Sequence, residues 1–236
     1  MDTAAHNQIV NFIWGIADDC LRDILSRSIN MKFIKYVGSN FGNPHGVGGI
    51  IATKIMNFMN QKQYKAVLDN IDMNDNEILL DIGFGNGYLI DNLLKKNVNT
   101  KIYGIEISND MLNSALQKYK HYISNNRLEL LLENINNTTF ANGIFDKLYT
   151  VNTIYFWNDL KKCFAEIKRI LKPNGIFLNV IYTKEYLDKI KYTRYGFDKY
   201  SKDEIIKLTE ENGMKINKVI EIKQNKSYCI ISENAH

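Results

Sequence analysis

Between Ile78 and Leu89 the chain reads Ile-Leu-Leu-Asp-Ile-Gly-Phe-Gly-Asn-Gly-Tyr-Leu. An apolar triplet, an acid, three glycines at alternate positions and an amphipathic run after them specify a strand, a glycine-rich turn and a helix. The same alternation continues downstream. Apolar runs fall at Ile102 to Ile107, Leu128 to Leu132, Lys147 to Val151 and Ile176 to Tyr182, with amphipathic stretches at about 88 to 96, 109 to 120 and 158 to 171. Strands alternating with helices predict βαβ units and a parallel sheet covered on both faces. Beyond the fifth run, Ser201 with Glu204 three positions on has capping-box spacing, and Gly213 closes the helix. Two final runs, at about 215 to 223 and 226 to 232, are close enough for a hairpin that puts an antiparallel edge on the sheet.

The N-terminal third reads differently. Ile9, Phe12, Ile13, Ile16, Leu21, Ile24 and Leu25 recur at three- and four-residue steps, so residues 1 to 30 carry a helical apolar stripe. Four glycines and Pro44 within residues 40 to 49 predict a loop, and Ile51, Ile55, Phe58 and Met59 place a second helix from Ile50 to about Leu68. The expected organisation is an N-terminal helical cap or lid over residues 1–75 and a ligand-binding α/β domain over 76–236, one structural domain overall. A length of 236 residues, 45% hydrophobic and 24% charged, suffices for a substantial core and excludes disordered, collagenous and coiled-coil classes. No apolar run approaches the roughly 18 residues of a membrane span, and no secretory leader is apparent, so a cytoplasmic protein without membrane contact is expected. Cys20, Cys163 and Cys229 lack ligand or redox spacing and are read as free thiols, and no metal site is expected. A net charge of +4 without a block of like charges does not imply nucleic-acid binding.

The chemistry concentrates at the ends of the strands. Asp81 closes the first strand just before Gly83-x-Gly85-x-Gly87, a spacing unlike the G-x-G-x-x-G that receives a pyrophosphate. A carboxylate here repels phosphate and suits an ammonium group, while glycines let the backbone approach a ligand closely. Glu106 ends the second strand 25 residues later, where a carboxylate can take ribose hydroxyls. Asn134 and Ile135 follow the third strand, where an amide can read an adenine edge and an apolar side chain can pack on its face. Asn152 stands at the end of the fourth strand, ahead of Thr153-Ile154-Tyr155-Phe156-Trp157.

In this order and spacing, residues 76 to 183 resemble the class I S-adenosylmethionine-dependent methyltransferases, in particular the small-molecule group that includes the ubiquinone and menaquinone methyltransferases. The run from Phe164 to Gly175, Phe-Ala-Glu-Ile-Lys-Arg-Ile-Leu-Lys-Pro-Asn-Gly, is similar to that group's helix and turn before the fifth strand. The resemblance implies a Rossmann-like α/β fold: a seven-stranded, mostly parallel sheet with an antiparallel C-terminal edge and an N-terminal helical cap. It implies S-adenosyl-L-methionine as cofactor and S-adenosyl-L-homocysteine as product. Asp81 with the turn of Gly83, Gly85 and Gly87 would hold the methionine part, Glu106 the ribose, and Asn134 with Ile135 the adenine, with Ile107 and Asn152 completing the site. Asn134 stands where an aspartate is common and Asn174 where a glycine is frequent. A second resemblance covers about 20 residues from His6: it is similar to the opening helix of the modification subunit of type I restriction systems. Those enzymes carry an Asn-Pro-Pro-aromatic motif after the fourth strand, whereas here Asn152-Thr153-Ile154-Tyr155 contains no proline.

The implied reaction is direct attack by a small-molecule acceptor on the sulfonium methyl group. Should the acceptor need a base, His45 and Tyr155 are the candidates. Tyr36 and Phe41 in the lid region, Trp157 after the fourth strand, and Tyr195 in the basic and aromatic segment 191–200 are the candidate acceptor contacts. A nucleic-acid methyltransferase and a non-catalytic, cofactor-binding regulatory protein are the alternatives, with nucleic acid disfavoured and the oligomeric state open. Each residue also has a plainer reading: the glycine turn as an unrelated tight turn, the aromatics as core, His45 as a solvated loop residue.

Overall fold

The computed structural model of the protein describes residues 60–194 and 196–235. Helix α1 (Gln61–Asn70) leads into β1 (Ile78–Ile82), α2 (Tyr88–Lys96), β2 (Lys101–Glu106), α3 (Asn109–Lys118), α4 (Lys120–Ser124), β3 (Leu128–Leu132) and β4 (Phe145–Val151). A 3₁₀ turn (Ile154–Phe156) precedes α5 (Leu160–Ile170), β5 (Leu171–Tyr182), α6 (Lys184–Leu187), a second 3₁₀ turn (Lys191–Arg194), α7 (Lys202–Glu211), β6 (Lys215–Lys223) and β7 (Ser227–Glu233). The first helical stripe, the glycine-rich loop at 40–49 and the restriction-subunit-like segment lie outside the described residues, as do His45, Tyr36, Phe41 and Tyr195.

The seven strands form one sheet in the order β3-β2-β1-β4-β5-β7-β6. Strands β1 to β5 are parallel; β7 runs antiparallel to β5, and β6 antiparallel to β7. This is the Rossmann-like class I arrangement with its antiparallel edge. The chain steps outward from β1 to β3, then returns to β4 on the other side of β1, so the strand order reverses between β1 and β4. Ligands of open α/β sheets bind at such a reversal, beyond the carboxyl ends of the strands.

Both faces of the sheet are covered, which is why the central strands read as unbroken apolar runs. On one face, Leu80, Leu148, Phe177 and Ile181 meet Phe164 and Ile167 of α5 and Ile205 of α7. On the other, Leu79, Ile102, Tyr149 and Val180 meet Leu93 of α2, Leu112 of α3 and Val67 of α1. Val67 and Ile71 are almost completely buried in that second core, so α1 is part of the α/β domain although it precedes residue 76.

Two departures from the sequence reading have local causes. The helix expected over 109–120 breaks at Tyr119, whose hydroxyl turns back to donate to the Gly87 carbonyl at 2.9 Å. The fifth strand begins at Leu171, earlier than expected, and accommodates Lys172–Gly175 by jumping its pairing with β4 from Phe145↔Leu171 to Lys147↔Ile176. Asn174 sits in that excursion at φ 61°. Asparagine tolerates the left-handed region better than other non-glycine residues, so it can stand where a glycine is frequent. The capping box forms as expected: the Glu204 N–H donates to the Ser201 hydroxyl, and the Ser201 N–H donates to the Glu204 carboxylate.

Candidate functional site

A cleft of about 980 Å³, its open mouth included, lies beyond the carboxyl ends of β1, β2, β3 and β4. The strand ends bring Asp81, Glu106, Asn134, Ile135 and Asn152 to one wall system, although they span more than seventy residues of sequence. Gly83, Gly85, Ile107 and Trp157 line it as well, whereas Gly87 starts α2 behind it.

The three glycines have different jobs. All have positive φ. A Cβ on Gly87 would come within 2.6 Å of the Tyr119 ring, and one on Gly83 within 2.5 Å of the Thr153 methyl group, so both are required by protein packing. A Cβ on Gly85, at φ +53°, would meet no atom of the described residues within 4 Å. It is the member of the triplet that leaves backbone open to a ligand.

Asp81 is 4% exposed at the end of β1. Burial holds its carboxyl well above the usual carboxylate range; the neighbouring Tyr149 hydroxyl opposes the shift and the Glu106 charge adds to it. The Tyr149 hydroxyl lies beside this carboxyl without the alignment of a strict hydrogen bond. Asp81 is therefore a desolvated acid with weak internal compensation, and a cation in the cleft would restore its ionised form.

Glu106 is anchored differently. Its Oε1 accepts the N–H groups of Ile107 at 2.8 Å and Ser108 at 3.1 Å, and its Oε2 accepts that of Gly85 at 2.9 Å. Burial still raises its pKa, with these three N–H groups opposing the shift. The carboxylate is thus fixed in place and tied to the glycine turn. Three of its roughly four lone-pair positions are taken by backbone, so one oxygen, Oε2, retains capacity for a hydroxyl partner.

Asn134 turns its Oδ1 onto the Asn136 N–H at 3.1 Å, which leaves the amide nitrogen as the reading group. Ile135 is 2% exposed and Ile107 43% exposed, one a floor and the other a rim. The loop that carries Asn134 is held by the Glu133 carboxylate on Thr139 and by Glu166 on Thr138.

Two expectations change on contact with the structure. Tyr155 is placed in the core rather than in the cleft: it is 2% exposed, its hydroxyl lies 3.0 Å from the Tyr182 carbonyl, and it accepts the Tyr182 N–H. A 3₁₀ turn advances about 120° per residue, so turning Tyr155 inward swings Phe156 onto the cleft wall instead. Asn152, at φ 59°, spends its amide internally, donating from Nδ2 to Asn60 Oδ1 at 2.9 Å and accepting the Tyr155 hydroxyl on Oδ1 at 3.1 Å. It lines the cleft as a connector.

Sequence reasoning missed Asn60 and Tyr64, which enter the cleft from α1, and Tyr88 and Thr153; Phe84 and Asn86 line it from within the glycine turn, and Phe156 from the aromatic run after β4. Tyr64 stacks on Tyr88 with ring centroids 4.9 Å apart. Burial pushes the Tyr64 phenol up to about 12, with the Asn60 amide opposing and the Asp81 charge adding, so it stays a neutral hydroxyl. The periodicity of residues 61–70 marks α1 as a helix, but nothing in it shows which end faces a ligand.

The electrostatic character of the cleft follows. Its described lining holds three carboxylates, Asp81, Glu106 and Glu133, and no lysine, arginine or histidine. Such a wall favours a cation and gives an anion no counter-charge. Among the described residues there is no cluster of histidine, cysteine and acids suited to a metal ion, and no helix long and apolar enough to cross a membrane.

Residues 80–179 match the family model for a methyltransferase domain. The chain carries a class I, S-adenosylmethionine-dependent methyltransferase domain. It is 29% identical over 126 residues to the uncharacterized methyltransferase YdaC of Bacillus subtilis, a match spanning 53% of this chain and 67% of that protein. It is 23% identical over 123 residues to an O-methyltransferase of Pyrenophora dematioidea, spanning 52% of this chain but 46% of that one. In fold it is similar to a SAM-dependent methyltransferase of Aquifex aeolicus, with a TM-score of 0.64 at 21% identity, covering 75% of this chain and 93% of that one.

The cleft fits the cofactor of this class. S-adenosylmethionine brings a sulfonium and an ammonium, and the lining offers carboxylates and no competing cation. Open space at Gly85, a desolvated carboxyl at Asp81, spare capacity on Glu106 Oε2 and a donor amide on Asn134 suit the parts of that molecule in turn.

Proposed function

We propose that the protein transfers a methyl group from S-adenosylmethionine to a small-molecule acceptor, releasing S-adenosylhomocysteine. The observation that carries the reading is the composition of the described cleft wall: Tyr64, Tyr88, Phe156 and Trp157 with three carboxylates and no cationic side chain. Nucleic-acid binding draws much of its affinity from lysine and arginine contacts to phosphate, and the described cleft wall supplies none.

When bound, the cofactor supplies a methyl group already activated by the positive sulfur. The chain's own residues then bind, orient and exclude water. Asp81 receives the ammonium group, Glu106 Oε2 a ribose hydroxyl, and Asn134 donates to the adenine, with Ile107 and Ile135 against its faces. Phe156 and Trp157 shape the acceptor side and keep water from the methyl group, which brings the nucleophile to near-attack distance. His45, Tyr36, Phe41 and Tyr195 stay candidates for closing this side.

Calorimetric titration of S-adenosylmethionine and S-adenosylhomocysteine tests the cofactor half. Micromolar affinity is expected, and no heat from the folded protein would overturn it. Methyl-labelled cofactor offered with separated small-molecule, nucleic-acid and protein fractions tests the acceptor half. Label confined to the small-molecule fraction is expected; label in nucleic acid or protein would overturn it.

A further inference from the structure

The glycine turn between β1 and α2 is fixed from two sides. On the β2 side, the Gly83 N–H donates to the Ile105 carbonyl at 2.8 Å, and the Gly85 N–H donates to Glu106 Oε2 at 2.9 Å. On the far side stands Tyr119, 2% exposed at the break between α3 and α4. Its hydroxyl donates to the Gly87 carbonyl at 2.9 Å and lies 3.2 Å from the Asn86 carbonyl. Burial raises the phenol pKa, so the donated proton stays in place. Its ring fills the space that a side chain at position 87 would take. Gly85 and Asn86 line the cleft, and Tyr119 stands behind them, holding the last two carbonyls of the turn. The helix break is what brings the hydroxyl there: the Tyr119 N–H completes α3 on the Ala115 carbonyl at 2.9 Å, and α4 starts afresh at Lys120.

A turn of this kind resists ordering. Gly83, Gly85 and Gly87 all take positive φ, and glycine loses more backbone freedom on ordering than any other residue. A ligand that meets a turn already ordered is spared that loss, and binds more tightly for it. Glu106 orders the middle of the turn; its end is ordered by a single buried hydroxyl. We infer that Tyr119 is a positioning residue of the cofactor site: from behind the cleft it holds the Gly85–Gly87 end of the turn in the shape that receives the amino-acid end of the methyl donor. The break between α3 and α4 thereby becomes part of the cofactor site's support.

The inference rests on the methyl-donor reading of the cleft, and paired ligands separate the two. In that reading Asp81 and the turn face the ligand's amino-acid end, whereas Glu106 and Asn134 face its nucleoside. Wild type and Tyr119→Phe, which removes the hydroxyl and keeps the ring, are titrated by calorimetry with S-adenosylhomocysteine and with methylthioadenosine, which lacks the amino-acid end. Tyr119→Phe should weaken S-adenosylhomocysteine about fivefold, the worth of one neutral hydrogen bond, while leaving methylthioadenosine within about twofold. Hydrogen exchange on the ligand-free proteins gives a second readout: the amides of residues 84–88 should exchange faster in Tyr119→Phe, and those of β5 should not. Equal weakening of the two ligands, unchanged S-adenosylhomocysteine affinity or unchanged exchange at the turn each overturns the role of Tyr119 while the cofactor reading stands. Failure of wild type to bind either ligand overturns both.

Discussion

Asp81 and Glu166 are acids inside the same domain, and the fold treats them in opposite ways. Glu166, on α5, is gripped by Arg169, whose Nε reaches one carboxylate oxygen and Nη2 the other, each at 2.7 Å. The Thr138 N–H adds a bond at 2.9 Å, and Arg169 continues to the Phe140 carbonyl and Asn142. The guanidinium, helped by Thr138 against partial burial, holds the Glu166 carboxyl down to about 2. Among the described residues Asp81 has no such partner, and burial drives it the other way. One carboxylate is closed by the protein around it; the other stands at the cleft with no counter-charge among the described residues. An acid buried without a counter-charge costs folding free energy, and where that cost is tolerated beside a cleft it marks a binding site.

The comparison is broken most directly by Asp81→Ala. Removing the ammonium partner should weaken S-adenosylmethionine at least a hundredfold, about 3 kcal/mol by the scale of charged hydrogen bonds, read by calorimetry on protein whose circular dichroism is unchanged. Retained micromolar binding would make Asp81 as structural as Glu166. Next in size, Arg169→Ala should lower stability in urea by about 2 kcal/mol, because it strands a partly buried carboxylate. Cofactor affinity should fall far less than in Asp81→Ala, since Arg169 bonds none of Asp81, Glu106 and Asn134 and reaches the Asn134 loop through Glu166 and Thr138.

The ligand-free protein sharpens the contrast through pH. Glu166 has a depressed folded pKa, so the stability it contributes is present above its unfolded value of about 4.3 and is lost as the pH falls toward about 2. Asp81 has a raised folded pKa, so its ionisation subtracts stability as the pH climbs from its unfolded value of about 3.9 through the folded one. Asp81→Asn should accordingly be more stable than wild type at neutral pH by about 1 kcal/mol, with the advantage fading toward pH 4. Glu166→Gln should be less stable at neutral pH, with the deficit fading below it. Parallel urea titrations across this range would show one gap closing from each sign, and two gaps of the same sign would remove the distinction. The smallest effect is expected at Asn174→Gly. The left-handed φ of 61° favours glycine in the fold while the unfolded chain gains freedom, so the net change should stay within about 0.5 kcal/mol.

Much of this was legible in the residues themselves. The order of strands and helices, the hairpin edge and the capping box follow from local periodicity and capping chemistry, which act over a few residues. Asp81 was legible because an acid directly before a glycine turn is an unusual place for a charge, and Glu106 because it repeats that position one strand later. Tyr155 was not legible. Whether it or Phe156 faces the cleft depends on the rotational phase of a single 3₁₀ turn packed against Tyr182. Asn60 and Tyr64 were hidden for a related reason: they reach the cleft because Val67 and Ile71 seat α1 on the sheet, a contact with residues far along the chain.

The glycine triplet divides the two contributions. From the sequence alone came three positions where the backbone must turn and an acid beside them, enough to point to a ligand carrying an ammonium group. Which glycine stays open was decided by Thr153 and Tyr119, which follow β4 and α3 and close over Gly83 and Gly87, leaving Gly85 bare among the described residues. Likewise the chain's composition reports a net charge of +4, yet the cleft wall is acidic. Local pattern sets backbone conformation because those forces are short in range. The field and shape of a site are sums over residues that only the folded chain brings together.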